Sequence, residues 1–147
     1  MAGRLGGYAR AAYLDTSIPY AAGMMYSTVE DLYAWDRYLY TDDLFQDPAT
    51  KEKMFTPYMN NYGYGWAIQD IPVGERQVKL IQHGGGINGF ITTFMRLVDD
   101  EHLVVLMDNT AQGHGEDIAR GIINILYGEP AGVMPKPGIS DVLGKQI

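Results

Sequence analysis

The sequence predicts an α+β fold: an antiparallel β-sheet meander of about four strands, helical segments before it, and a C-terminal helix packed on it. Three observations predict this. Helical signals run from about Ser27 to Phe55, the pattern changes to the two-residue period of strands from Tyr62, and helical periodicity returns at about Glu116. The strand-like runs are joined by short turn-rich connections, which makes a meander the simplest topology. The helical stretches carry start and stop signals at their ends.

Residues 1–23 are rich in Gly, Ala and Tyr without a clean period and read as irregular. Ser27-Thr28-Val29-Glu30 fits a capping box, with Ser27 accepting from the backbone N–H of Glu30. Leu32, Trp35, Tyr38 and Leu39 then form one apolar stripe, and the helix should end near Tyr40 to Asp43. Asp47-Pro48 starts a short second helix, stopped at Thr56-Pro57. Tyr64, Trp66 and Ile68 alternate as in a strand, and Pro72-Val73-Gly74-Glu75 is a turn. Gln77 to Gln82 and Phe90 to Val98 are the next strands, with Asp99-Asp100-Glu101 turning the chain. His102 to Asp108 contains a continuous apolar run, as in a strand covered on both faces. The last helix, about Glu116 to Tyr127, carries Ile118, Ile122, Ile125 and Leu126 on one stripe and ends at Gly128 and Pro130. One domain over 1–130 is expected, followed by a tail or linker over 131–147 that contains Pro135, Pro137 and Gly138.

At 147 residues, 46% apolar and 20% charged, the chain can bury a core. Its net charge of −7, without a Lys/Arg cluster, disfavours nucleic acid and anionic membrane surfaces as partners. No cysteine is present, which excludes thiol catalysis, disulfides and Cys-based metal sites. No apolar run approaches the ~18 residues of a membrane span. Met1-Ala2-Gly3-Arg4 lacks the apolar stretch of a signal peptide and reads as a start codon on a segment of something longer.

The segment Gln82-His83-Gly84-Gly85-Gly86-Ile87-Asn88-Gly89-Phe90 lies between two strand-like runs. Four glycines in six positions carry a large entropic cost. Either the segment is a Gly-rich hairpin with a surface histidine, or something approaches its backbone closely. Gly84-x-Gly86-x-x-Gly89 matches a dinucleotide fingerprint in letters, but the β-branched and aromatic run Phe90 to Phe94 cannot form the helix that would hold a pyrophosphate. His83-Gly84-Gly85-Gly86 also imitates a lipase oxyanion motif, without the Gly-x-Ser-x-Gly elbow such enzymes need. His83, His102 and His114 are scattered and show no ligand spacing, so neither a metal nor another cofactor is expected. Tyr58-Met59-Asn60 reads as a loop after Pro57.

Taken in order, several landmarks carry a resemblance. They are Pro19 to Thr28, Glu30 to Trp35, Tyr62-Gly63-Tyr64-Gly65-Trp66, His83-Gly84-Gly85, Gly89-Phe90 and Met107-Asp108-Asn109. Over about residues 5–130 the chain resembles the C-terminal half of the serine β-lactamase-like hydrolases. These include class C β-lactamases, D-Ala-D-Ala peptidases and related esterases, and they are often periplasmic or secreted. The resemblance implies amide or ester hydrolysis of a small-molecule or peptide-like substrate through an acyl-serine. It also implies a Ser-x-x-Lys motif, a Tyr-x-Asn motif and a strand-borne Lys-Thr-Gly or His-x-Gly triad. His83-Gly84-Gly85 matches the third element. In that role His83 sets a polar group beside the nucleophile, Gly84 and Gly85 let substrate lie against the strand, and the Gly86 backbone N–H supplies part of the oxyanion hole.

The first element is absent: Ser17, Ser27 and Ser140 are followed three residues later by Tyr20, Glu30 and Leu143. Tyr58-Met59-Asn60 falls after the Ala22-Gly23…Ser27-Thr28 landmark, where the family's Tyr-x-Asn precedes it. The expectation is a fragment that is inactive alone or, alternatively, a non-enzymatic binding or assembly module. Loss of the family's N-terminal helix and strands would uncover a sheet edge and face, so a homo-oligomer is expected. The compartment and the particular substrate are not legible.

Overall fold

The computed structural model describes residues 10–110 and 113–132. Four strands form one antiparallel sheet in the order β1-β2-β3-β4: β1 Ala67–Val73, β2 Arg76–Ile87, β3 Phe90–Leu97 and β4 His102–Asp108. Three helices precede it, α1 Tyr20–Gly23, α2 Val29–Tyr40 and α3 Pro48–Met54, and α4 Gly115–Leu126 follows it. This is the α+β meander expected from the periodicity. Most of the proposed tail over 131–147 lies outside the described residues.

Each face of the sheet has its own core. On one, Ile71, Val73, Val78, Leu80, Met95, Leu97 and Val104 meet Ala119 and Ile123 of α4. On the other, Trp66, Ile68, Ile81 and Phe94 meet Leu39 of α2, with Phe55 packed beside them. β4 therefore has a helix against each face, as its apolar run implied, although only Val104 within it is fully buried. The α4 end is tied down by the Tyr127 hydroxyl, which donates to Asp100 Oδ2 at 2.5 Å. Burial and that carboxylate push the Tyr127 phenol up to about 12.

Four local expectations are corrected. The cap of α2 is Thr28, whose hydroxyl accepts from Asp31 N at 3.1 Å, one residue later than the Ser27 box. The buried face of α2 is turned away from Trp35 and Tyr38, which stay partly exposed. It carries Asp36 and Leu39, because Asp36 Oδ1 accepts from Arg96 Nε at 2.5 Å inside the second core. On α4, Ala119 and Ile123 are buried and Ile125 and Leu126 are exposed, since the small Ala119 and Gly121 let that face approach the sheet. Residues 10–23 are not wholly irregular, because Tyr20–Gly23 makes one helical turn.

Candidate functional site

The glycine segment is not a loop between two strands. It is the second half of β2, which runs on through Ile87, and the turn is the two residues Asn88-Gly89. β1 pairs only with Arg76 to Gln82, so His83 to Ile87 extend past it and bond to β3 alone. Backbone groups of successive strand residues face alternate edges. Both tight turns close on hydrogen-bonded pairs, Val73↔Arg76 on the β1 side and Ile87↔Phe90 on the β3 side. Counting from either one, the N–H and C=O of Gly84 and Gly86 face the open edge.

His83 stands where that edge begins, exposed, opposite Phe94 of β3. Its Nδ1 lies 2.7 Å from Gly84 O and its Nε2 lies 2.7 Å from the Tyr62 hydroxyl. A carbonyl can only accept, so Nδ1 carries the proton. In the neutral ring Nε2 then accepts from Tyr62 O–H. The two rings meet edge-on with centroids 6.0 Å apart.

The segment Tyr62-Gly63-Tyr64-Gly65-Trp66 is built to hold Tyr62 there. Tyr62 bridges Ala67, the first residue of β1, and Gly63 N donates to Trp66 O at 2.7 Å. A Cβ on Gly63 would stand 2.5 Å from the Met54 carbonyl, so only glycine lets this segment cross the end of α3. Gly65 takes φ +80°, and Trp66 then enters the core against Phe55 and Phe94. On the sheet face carrying His83, a Cβ on Gly85 would collide with Thr92 Oγ1. Nothing lies within 4 Å of a Cβ built on Gly86. Thus Gly85 is fixed by its cross-strand neighbour, while Gly86 borders open space.

Sequence reasoning placed His83, Gly84, Gly85 and Gly86 together, and their contiguity on one strand makes this so. Tyr62 entered it only as a landmark, since nothing in a primary sequence ties residue 62 to residue 83. Tyr58-Met59-Asn60 lies in and beside a short 3-10 turn, Met59–Asn61, with Tyr58 exposed. His102 packs edge-on against Tyr127, and His114 precedes α4. Among the described residues no three His, Asp or Glu side chains come together as a metal site would require.

Penicillin-binding protein 4* of Bacillus subtilis (strain 168) is 31% identical to this chain over 123 residues, 78% of the chain. The chain is thus distantly similar to a penicillin-binding protein. It spans about a quarter of the relative's length, 26%. No protein-family profile matches the chain, and no solved structure matches it. In this chain the open edge of β2 is where histidine, glycine backbone and tyrosine hydroxyl converge.

Proposed function

We propose that this chain is the C-terminal part of a β-lactamase-like serine hydrolase and forms the strand wall of its active site. The observation that carries the proposal is the open stretch of β2 beyond β1, where the Gly84 and Gly86 backbone groups face outward beside His83. A substrate carbonyl placed against that edge would receive the Gly86 N–H. Such a donor contributes about 3–4 kcal/mol when aimed at a tetrahedral oxyanion. Gly86, with no atom within 4 Å of a Cβ built on it, leaves room for an extended substrate, and His83 stands at its side. An attacking serine and its base would come from outside these residues, because no Ser-x-x-Lys occurs in the chain. The chain alone is then inactive. Incubated with a fluorophosphonate or an acylating β-lactam, it should keep its mass, and a stoichiometric adduct on one of its own serines would overturn the reading.

A second reading is a non-enzymatic binding or assembly module of the same ancestry. It is favoured by the large apolar side chains left exposed over residues 13–26 and 58–64, among them Tyr13, Met25, Tyr26 and Tyr58. The open reading frame separates the two, since an in-frame Ser-x-x-Lys upstream supports the hydrolase and its absence supports the module.

A further inference from the structure

We infer that the Tyr62 hydroxyl and His83 act as a pair, in which the hydroxyl holds His83 in its Nδ1–H tautomer, His83 is the positioning residue, and the Tyr62 oxygen is the acceptor offered to a substrate N–H or O–H. The inference rests on the reading of the β2 edge as a substrate wall, but its test does not require catalysis.

Both ring nitrogens of His83 are engaged within the chain, Nδ1 by the Gly84 carbonyl and Nε2 by the Tyr62 hydroxyl, each at 2.7 Å. His83 in this arrangement has no nitrogen open to take a proton from a nucleophile or give one to a leaving group. Its work is to orient Tyr62. A hydroxyl has one donor hydrogen and two acceptor lone pairs. With the hydrogen committed to Nε2, the oxygen of the part-exposed Tyr62 has only acceptor capacity left. It therefore suits an amide N–H or a substrate hydroxyl, and it disfavours a carboxylate or carbonyl oxygen.

The second contact sharpens the edge itself. Gly84 C=O faces the open side of β2, and His83 Nδ1–H covers it. A strand-like ligand adding there meets the Gly84 and Gly86 N–H groups and the Gly86 carbonyl, while the Gly84 carbonyl is already satisfied. Recognition is thus centred on Gly86, one residue pair beyond the histidine.

Two-bond proton–nitrogen correlation spectra of the ¹⁵N-histidine-labelled chain test this, at a pH where the imidazoles are neutral. Loss of one signal set in His83→Asn identifies the residue. The expected result is His83 as the Nδ1–H tautomer. In Tyr62→Phe the Nε2 acceptor loses its donor, and the population should move several-fold toward the Nε2–H form, with backbone amide signals away from the site unchanged. An Nε2–H tautomer in the unmodified chain overturns the inference without recourse to any variant. An unchanged tautomer in a folded Tyr62→Phe also overturns it. The absence of an acyl adduct does not enter, so failure of the hydrolase reading and failure of this one are separable.

Discussion

At the residue scale, the most consequential side chain outside the candidate site is Asp36. It is 0% exposed and lies between two arginines, accepting from Arg96 Nε at 2.5 Å through Oδ1 and from Arg37 through Oδ2. Arg96, 2% exposed, lies across the rings of Tyr40, Phe55 and Trp66, so its guanidinium has both a carboxylate and aromatic faces. Removing one partner of a buried pair is costly because the other charge stays behind. The two halves are not equivalent here. Asp36→Asn strands the buried Arg96, and should cost about 3–5 kcal/mol. Arg96→Met leaves Asp36 paired with the part-exposed Arg37, and should cost clearly less. Tyr40→Phe makes the complementary case: the Tyr40 hydroxyl is buried with no hydrogen-bond partner among the described residues, while its ring serves both arginines. That substitution should leave stability equal or slightly higher. Thermal melts of the three variants should rank Asp36→Asn lowest and Tyr40→Phe highest, and any other order of those two contradicts this account of the cluster.

At the element scale, the turn that ends β2 decides where its open edge stops. Gly89 has φ +85°, and a Cβ there would lie 2.7 Å from the Cβ of Ala11 in the N-terminal segment, which Asn88 also bonds through the Ala12 carbonyl at 3.2 Å. Gly89→Ala should therefore destabilise by about 1–3 kcal/mol, combining strain at positive φ with a close contact. Gly86→Ala meets no atom and needs no positive φ, so it should be neutral or stabilise by roughly 0.4–1 kcal/mol through the unfolded chain. Denaturant midpoints would read the contrast, and equal losses at both positions would contradict it. The same strand marks the limit of what the sequence showed. Strand number, order and the ends of β3 and β4 were legible because the apolar runs are separated by short polar turns, whereas the first strand, read around Tyr64 to Ile68 with Pro72-Val73 as turn, runs instead from Ala67 through Val73. The extent of β2 was hidden because glycines carry no period, so residues 83–87 read as a break although β3 pairs with all of them. The buried face of α2 was misread for a related reason, since a pattern of apolar letters cannot anticipate that Asp36 has Arg96 sixty residues away. Tyr62 and His83 were separated by the same barrier.

At the scale of the whole molecule, the sheet has two open edges among the described residues, β1 and β4. β4 is the hazardous one. Leu103-Val104-Val105-Leu106-Met107 contains neither proline nor lysine, the residues that usually blunt an edge strand. The pairing register places Val104 and Leu106 backbone groups toward β3 and those of Leu103, Val105 and Met107 outward. Two copies could join these edges into one continuous sheet, with the exposed aromatic side chains adding apolar contact beside it. The net charge of −7 opposes such contact, so added salt, which screens like charges, should strengthen it. The expected outcome is a concentration-dependent mass rising from 16.3 kDa toward twice that value by light scattering, and rising further with salt. Met107→Pro removes an outward N–H without touching the β3 ladder, and proline is tolerated at such edge positions. It should return the protein to a single-chain mass with its melting temperature nearly unchanged. A single-chain mass for the unmodified protein at its highest soluble concentration, with or without salt, would mean that the β4 edge does not pair between copies. An oligomer that persists in Met107→Pro would move the contact to the exposed residues of 13–26 and 58–64 instead.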